Sequence, residues 1–341
     1  MQKSYTVAVV GATGVVGREI LQVLSDRKFP VKKIIPLASE RSAGETVECH
    51  GQEFRVQKTT AESFQGVDIA LMSPGAKASA EFAPMAAKAG AIVIDNSSHF
   101  RMEEDIPLVI PEVNPEDIGL YKKRGIIANP NCSTIQMLVA LAPLHKNAQL
   151  KRIIVSTYQA VSGAGKKLVD ELSEQVTMLF NGRDVTPKVL PKRIAFNCVP
   201  HIDVFQEGGF TKEENKMKNE SRKIMHLPDL AVCATCVRVP VFTSHSESVV
   251  AEFEKPMTPE IARRIWREAP GVVLMDDPQT LSYPTPIDAA GTDATYIGRV
   301  RQDPSASNSL AFWCVADNLR KGAAANAVQI AEILARDYLS K

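Results

Sequence analysis

Residues 5–17 read YTVAVVGATGVVG, and this stretch decides the fold of the first part of the chain. An apolar run, residues 5–10, is followed by glycines at 11, 14 and 17, and residues 18–24 then show helical spacing. A strand, a glycine-rich turn and a helix in this order are typical of a dinucleotide-binding unit, because the glycines let the backbone approach a pyrophosphate at the helix N-terminus. The spacing is GxxGxxG rather than the commoner GxGxxG, so a tight turn without a ligand is the alternative.

Four further apolar runs predict strands, at residues 33–38, 68–72, 91–95 and 125–128. They alternate with helical segments, which predicts a parallel, doubly wound sheet. Ligands of such sheets bind beyond the carboxyl ends of the strands. Four polar residues follow such ends: Ser73, Asn96, Arg101 and Cys132. We therefore expect these side chains to surround a functional site.

The pattern changes after about residue 147. A helix is predicted at 167–180, loops at 181–210, and a second helix that begins with Thr211 as its N-cap. Long strands are predicted at 152–158, 232–241, 248–254, 295–301 and 310–315. This order indicates a second, α+β domain with a mixed or mainly antiparallel sheet. The last helix, 322–339, has an apolar stripe that suggests packing on the first domain. The predicted domains are 1–131 plus 318–341, and 132–317.

Composition excludes several classes of function. The chain has 341 residues, a formal net charge of +1 and no basic run, so neither nucleic acid nor an anionic membrane is an expected partner. No signal peptide or membrane span is evident, which favours a cytoplasmic location. The six cysteines are scattered and are expected to be reduced. Cys233 and Cys236 form a C-x-x-C in a predicted strand, for which core packing is favoured over zinc binding or redox chemistry; no metal is expected.

The sequence NPNCST at 129–134 places Cys132 between a short apolar strand and a predicted helix. Backbone N–H groups and the positive end of the helix dipole at such a junction favour the thiolate over the thiol. Cys132 is therefore a candidate nucleophile. The alternative is a small buried apolar residue, which is the usual state of a cysteine outside a disulfide.

The end of the second predicted strand bears on cofactor choice. An NAD site usually has an acidic residue here, which binds the ribose 2′-hydroxyl, and Glu40 could serve. Arg41, flanked by Ser39 and Ser42, suits a 2′-phosphate better, so NADP is favoured. The alternative is a solvated loop with an incidental arginine.

Two later residues complete a catalytic set. Arg238 lies in an apolar strand, where burial without an anion is unfavourable, and a substrate carboxylate would satisfy its guanidinium. An internal Arg–Asp pair is the alternative. His245 follows seven residues later and is a candidate base. A reactive cysteine, an NADP-type unit and a base together indicate an aldehyde dehydrogenase that forms a thioester.

Several motifs resemble those of bacterial aspartate-semialdehyde dehydrogenases. They are GATGVVG at 11–17, SERSAG at 39–44, DNSSHFR at 95–101, NPNCST at 129–134, YQAVSGAG at 158–165, EENK at 213–216 and RVPV at 238–241. They are collinear from residue 5 to the last helix, and their combination is more specific than the glycine motif alone. The resemblance implies a Rossmann-type NADP-binding domain followed by an α+β catalytic and dimerisation domain.

The resemblance also implies roles for individual residues. Cys132 would form the acyl-thioester, His245 would be the general acid/base, and Gln159 would orient the intermediate. Arg238 would bind the substrate α-carboxylate and Glu213 its amino group. The phosphate would be held by Arg101, Asn131 and Lys216. The NADP site would be lined by Gly11, Thr13, Gly14, Val15, Val16, Ser39, Arg41, Ser42, Ser162, Gly163 and Asn318.

The implied reaction is the reductive dephosphorylation of L-aspartyl 4-phosphate to L-aspartate 4-semialdehyde. It belongs to lysine (through diaminopimelate), methionine, threonine and isoleucine biosynthesis, and the family forms homodimers or tetramers. An N-acetyl-glutamyl-phosphate reductase is the nearest alternative, although an acetylated amino group would not require Glu213. A non-catalytic, cofactor-binding relative is a further alternative, for which loss of Cys132 or His245 would be the expected sign.

Overall fold

The computed structural model describes residues 3–339, which form two compact units. The first unit runs through Asn131 and resumes at Gly322, and the second extends from Cys132 to Lys321. Each unit has its own six-stranded sheet. Within residues 3–339, no helix combines the length and the apolar character that crossing a bilayer requires.

The first unit contains a parallel sheet. Its strands are β1 (Tyr5–Val10), β2 (Val31–Ala38), β3 (Thr46–Cys49), β4 (Gln52–Arg55), β5 (Gln57–Lys58), β6 (Ile69–Met72), β7 (Ile92–Asp95) and β8 (Ile126–Ala128). Six of them pair in the order β5-β2-β1-β6-β7-β8, all parallel, and β3 and β4 form a separate antiparallel hairpin. The predicted doubly wound sheet is confirmed. The hairpin was missed because its short strands lack a sustained apolar run.

Two helices follow strands of this sheet, α1 (Val15–Asp26) and α2 (Ala76–Lys88), and 3-10 turns occur at Glu40–Ser42, Ala61–Phe64 and Pro115–Lys123. The apolar side chains of α1, among them Ile20 and Leu24, are fully buried. The strand order reverses between β1 and β6, since β2 lies on one side of β1 and β6 on the other. This switch point is where nucleotides bind in doubly wound sheets.

The second unit contains a mixed sheet. Its strands are β9 (Leu150–Gln159), β10 (Ala231–Arg238), β11 (His245–Phe253), β12 (Val272–Leu274), β13 (Thr295–Gln302) and β14 (Ser309–Ala316), in the order β10-β9-β11-β14-β13-β12. The β10–β9 and β12–β13 pairs are parallel, and the remaining pairs are antiparallel. The predicted mixed sheet is therefore confirmed, and β10 ends at Arg238 rather than continuing to residue 241.

The helices of the second unit are α3 (Cys132–Ala148), α4 (Lys166–Phe180), α5 (Lys212–Ile224), α6 (Pro259–Glu268) and α7 (Pro286–Ala289), with 3-10 turns at Val161–Ala164 and Glu207–Gly209. Thr211 is the N-cap of α5, as predicted, and forms a reciprocal capping box with Glu214. α3 lies against the sheet, and its first residue is Cys132.

The C-terminal helix belongs to the first unit. α8 (Ala325–Ile333) lies between π-helical turns at Arg320–Ala324 and Leu334–Tyr338. Its apolar side chains are buried in the same core as Val7 and Ile20. Arg27, just beyond α1, donates from Nε and Nη2 to Glu332, at 2.8 and 2.7 Å. The apolar stripe of the sequence is thus the face that packs against α1.

The register of the second sheet brings three predicted site residues to one end of it. Arg238 pairs with Gln159 across β10 and β9, and the β9–β11 register places His245 at the same end. Because side chains alternate between the faces of a strand, all three point to the buried face. Residues separated by 86 positions in the chain therefore share one row.

Candidate active site

Cys132 is the first residue of α3, and its side chain is partly exposed. Residues 133–142 behind it are all buried, so the helix is fixed in the core while its N-terminus reaches the surface. N–H groups of a first helical turn and the helix dipole both stabilise an anion at this position. The local structure therefore supports thiolate formation at Cys132.

His245 is fully buried, and its ring is held by the main chain. The N–H of Ala160 donates to His245 Nδ1 at 3.0 Å. Because Nδ1 accepts this bond, the neutral ring carries its proton on Nε2. Burial, and secondly the charge of Arg238, hold the pKa of His245 well below its ordinary value. Within residues 3–339, the buried His245 Nε2 has no hydrogen-bond partner.

Arg238 is held by the backbone carbonyl of Ala160, the residue whose N–H binds His245. Its Nη1 donates to the carbonyl oxygen of Ala160 at 2.6 Å. Burial lowers the pKa of Arg238, and the nearby charges of Glu213 and the Cys132 thiolate oppose that shift. No carboxylate of the described residues forms a salt bridge with Arg238, and its buried Nε has no partner there. The internal Arg–Asp pair considered from the sequence is thus absent from residues 3–339, and the guanidinium retains donors for an anion.

Gln159 and Glu213 are joined by a hydrogen bond. The amide oxygen of Gln159 accepts from the Thr157 hydroxyl at 3.0 Å, and its Nε2 donates to Glu213 at 3.2 Å. Lys216 bonds to Glu213 at 3.0 Å and to Asp203 at 2.8 Å. Burial opposes the charge of Lys216, but these two carboxylates hold its pKa above the ordinary value. The cluster is therefore preformed and charged.

Ser162 and Asn318, expected to contact the cofactor, are hydrogen-bonded to each other at 3.0 Å. Asn318 Oδ1 also accepts from the backbone N–H of Ser244 at 2.9 Å. Ser244 has a φ of +75°, a left-handed conformation that is uncommon for serine. This strained residue immediately precedes His245, so Ser162 and Asn318 help to fix the orientation of the histidine.

The glycine turn of the first unit has the geometry of a nucleotide cradle. Gly11 has a φ of +82°, and a Cβ on it would lie 2.9 Å from the carbonyl group of Ser73. A Cβ on Gly17 would collide with the carbonyl oxygen of Gly11. Gly14 is the N-cap of α1 and provides no side-chain cap, so the first N–H groups of α1 are open to an anion. Thr13, Val15 and Val16 lie in the same turn.

The two candidates for ribose recognition differ in their surroundings. Glu40 forms a salt bridge with Lys58 at 2.9 Å. Arg41 is exposed, and no ion pair or side-chain hydrogen bond engages it within residues 3–339. Ser39 and Ser42 flank it in the 3-10 turn that follows β2. The structure therefore leaves Arg41, rather than Glu40, available to a ligand.

Arg101 is buried beyond the end of β7. It donates from Nε to the carbonyl oxygen of Asn129 at 2.9 Å and from Nη2 to that of Asn96 at 2.8 Å. The side chains of Asn129 and Asn96 are themselves hydrogen-bonded at 2.9 Å. Asn131, also buried, immediately precedes Cys132 in the chain. Arg101, Asn96 and Asn129 therefore form one connected cluster in the first unit.

The C-x-x-C motif lies on β10, where residues three apart face opposite sides. Cys233 is exposed, whereas Cys236 is buried against Met217, with 3.7 Å between the sulfurs. Burial is the main cause of the raised pKa of the Cys236 thiol. The two thiols therefore do not form a metal or redox pair, and core packing accounts for Cys236.

Several residues that shape the site were not singled out from the sequence. They are Thr157, Ala160, Asp203 and Ser244. Ala160 acts only through its backbone, and the left-handed φ of Ser244 has no sequence signal. Thr157 has one, since it lies two residues before Gln159 on the same face of β9.

Family profiles match both halves of the chain. The profile described as semialdehyde dehydrogenase, NAD binding domain, matches residues 6–121, and that described as semialdehyde dehydrogenase, dimerisation domain, matches residues 141–321. The chain thus belongs to the semialdehyde dehydrogenases, oxidoreductases that act on an aldehyde with a nicotinamide cofactor.

Individual relatives narrow the class. The chain is 55% identical over 338 residues to the aspartate-semialdehyde dehydrogenase of Aquifex aeolicus, covering 98% of this chain and 99% of that one. It is 52% identical over 342 residues to that of Bacillus subtilis, covering 98% of each. A crystal structure of aspartate semialdehyde dehydrogenase II from Vibrio cholerae, complexed with ASA, aligns with a TM-score of 0.97 at 49% identity, covering 99% of this chain and 100% of that one. The chain belongs to the aspartate-semialdehyde dehydrogenase family, as the motifs indicate.

Proposed function

We propose that the protein converts L-aspartyl 4-phosphate to L-aspartate 4-semialdehyde with NADPH, in the biosynthesis of lysine, methionine, threonine and isoleucine. The observation that carries the proposal is the arrangement of Arg238 and His245 around Ala160, on the sheet against which the Cys132 helix packs. It supplies an anion-binding group, a proton-bearing group and a nucleophile in one unit.

The first step is acyl transfer to Cys132. The thiolate attacks the acyl carbon, a C–S bond forms, and the C–O bond to the phosphate breaks. Arg101, Asn131 and Lys216 bind the phosphate, whose charge their cationic and amide groups offset. Forming a thioester divides one difficult reaction into two easier ones.

The second step is reduction of the thioester. The nicotinamide cofactor, when bound, supplies hydride to the thioester carbon. His245 donates a hydrogen bond from Nε2 to the oxygen, which becomes an alkoxide. The alkoxide then collapses, the C–S bond breaks, and the semialdehyde and the Cys132 thiolate are released. Of the predicted acid and base roles, the Nε2–H tautomer favours the acid. To act as a base at Nε2, the ring would need its proton on Nδ1, where it would point at the N–H of Ala160.

Substrate recognition rests on two buried charges. Arg238 binds the α-carboxylate through the donors that the described residues leave open, and Glu213 binds the amino group. Gln159, held between Thr157 and Glu213, orients the acyl group. An N-acetylated substrate has a neutral amide at this position and gains nothing from Glu213.

The glycine turn and Arg41 are proposed to select NADP over NAD. The turn fits a pyrophosphate, and the exposed guanidinium of Arg41 suits the 2′-phosphate. We further propose a homodimer or tetramer formed through the dimerisation domain, and a cytoplasmic location, where thiols such as Cys132 stay reduced.

An assay with the two semialdehydes distinguishes the candidate reactions. Phosphate- and NADP-dependent oxidation of aspartate semialdehyde is expected, with little turnover of N-acetylglutamate semialdehyde. The reverse preference would contradict the proposal. Mass spectrometry after incubation with substrate should locate an acyl adduct on Cys132. Cys132→Ala should abolish turnover while NADP still binds, whereas the exposed Cys198→Ser serves as the matched control and should remain active.

A further inference from the structure

A glutamate is buried in the second sheet, two residues beyond His245. Glu247 lies on β11, is 0% exposed, and pairs with Thr157 on β9 and with Cys314 on β14. Neither of its carboxyl oxygens accepts a hydrogen bond from a residue within 3–339. A buried carboxylate without partners is strongly unfavourable, so the state of this group requires an explanation.

Within residues 3–339, no cation contributes to the surroundings of the Glu247 carboxyl. β9 contributes Thr157, β14 the thiol of Cys314, and β10, one strand further, the thiol of Cys236. α3 contributes the amide of Gln136. The carboxylates of Glu213 and Glu214 on α5 lie near Cys236 and add only negative charge. On its own strand the nearest titratable group is His245, which is neutral.

Gln136, on α3, also has a buried polar atom without a partner in the described chain, its amide oxygen. Its Nε2 donates to the backbone oxygen of His245 at 3.3 Å, which directs its amide oxygen away from that carbonyl. The amide oxygen is buried and receives no hydrogen bond from residues 3–339. The thiol of Cys314, which pairs with Glu247 across the sheet, also contacts the backbone oxygen of Gln136 at 3.6 Å, so Gln136 lies beside the Glu247 carboxyl. A proton on that carboxyl would give the amide oxygen of Gln136 a donor. Burial raises the pKa of Glu247 well above its ordinary value and outweighs the amide of Gln136, which lowers it, so the direction is consistent with a retained proton.

We propose that Glu247 is a positioning residue whose neutral carboxyl donates a hydrogen bond to Gln136 and so ties the helix of Cys132 to the strand of His245. Gln136 lies one helical turn after Cys132 and on the same side of α3. Glu247 lies two residues after His245 and on the same side of β11. The bridge therefore fixes the nucleophile relative to the proton donor. The effect of this bridge on turnover rests on the proposed function, whereas the protonation state of Glu247 does not.

Glu247→Gln and Glu247→Leu separate the hydrogen bond from packing. The glutamine variant keeps a donor for Gln136, so its kcat should stay within about threefold of the wild type. The leucine variant removes the donor, and its kcat should fall on the order of 10²-fold, with little change in KM, because small displacements of catalytic groups have effects of this size. Equal activity of the folded leucine variant and the wild type would overturn the positioning role.

Stability against pH tests the retained proton without any assay of turnover. A carboxyl with a raised folded-state pKa favours folding most below its unfolded pKa, and this advantage is lost as pH rises toward the folded pKa. The Tm of the wild type should therefore fall relative to that of Glu247→Gln between pH 5 and pH 9. A constant difference would overturn the inference. If the leucine variant does not fold, Gln136→Leu supplies the second test: it removes the acceptor, so it should lower kcat as well.

The rate at which iodoacetamide alkylates Cys132 gives a readout that does not depend on the substrate. It should change in Glu247→Leu and Gln136→Leu but not in Glu247→Gln. This pattern in a protein that lacks aspartate-semialdehyde activity would refute the proposed function and keep the inference. Unchanged rates in all three variants of an active enzyme would refute the inference and keep the function.

Discussion

Gly163 lies against the ring of His245, with no space between them for a side chain. A Cβ on Gly163 would be 3.1 Å from both Cε1 and Nε2 of the ring, and 3.1 Å from Nη1 of Arg238. These distances are shorter than ordinary carbon contacts of about 3.5–4.0 Å. The backbone of the Val161–Ala164 turn thus forms part of the wall around the imidazole.

Gly163→Ala should therefore reduce activity without unfolding the protein. The added methyl group displaces His245, Arg238 or both by a few tenths of an ångström, and kcat/KM should fall about 10- to 100-fold. Steady-state kinetics and a thermal melt measure the two effects. The neighbouring Ala164→Ser is the matched control, because Ala164 is exposed, and it should behave as the wild type. Full activity in Gly163→Ala would show that the site accommodates the methyl group.

The tautomer of His245 predicts an order of activity among its variants. Gln places an amide N–H near the position of Nε2, whereas Asn reaches only to about the position of Nδ1. His245→Gln should therefore retain more kcat than His245→Asn, whose loss should be on the order of 10²–10³-fold, as for other donors to an oxyanion. The opposite order would contradict a donor role for Nε2.

The pH dependence of turnover should show no titration of His245 near neutrality. Because burial and Arg238 lower the pKa of His245, the ring stays neutral as pH falls through its ordinary value of 6.5. The normalised kcat profiles of the wild type and His245→Gln, which cannot titrate, should superimpose from pH 8 to pH 6. A wild-type inflection near pH 6.5 that is missing in the variant would contradict this assignment. The unfolded chain binds the proton more readily, so any stability linked to this ring is lost as pH falls below 6.5.

Cofactor selection can be measured directly. Arg41→Ala should weaken NADP binding by about 10- to 100-fold, the range expected for a lost charge-assisted hydrogen bond, while NAD binding changes little. Titration calorimetry with both cofactors gives the two affinities. Lys88→Ala on α2, also an exposed cation of the first unit, is the matched control. Parallel losses for NADP and NAD would remove Arg41 from 2′-phosphate recognition.

The sequence predicts those parts of the structure that local patterns encode. The strand–glycine–helix unit, the helix after the NPNCST motif, and the N-cap at Thr211 each follow from neighbouring residues. An arginine in an apolar strand and the histidine seven residues later identify Arg238 and His245, and the family motifs add their roles. Their common row could not be derived, because strand register depends on side-chain packing across the whole sheet.

The remaining features depend on tertiary structure. Glu247 lies outside the strand predicted at 248–254, because β11 begins at His245, and only the register shows that its neighbours are a threonine and a thiol. The proposed link to Gln136 would join positions 111 residues apart. The left-handed φ of Ser244 is imposed by the structure around it, since serine does not favour that conformation.

Ala160 has a consequence for how this site can evolve. Its N–H holds the catalytic ring and its carbonyl holds the guanidinium, and neither group is encoded by the identity of the residue. Apart from proline, no amino acid removes the donor, and none removes the acceptor. Substitutions of Ala160 other than proline can thus alter packing but do not delete either bond. Moving the imidazole relative to the guanidinium therefore requires a different backbone path after β9 rather than a new side chain at residue 160.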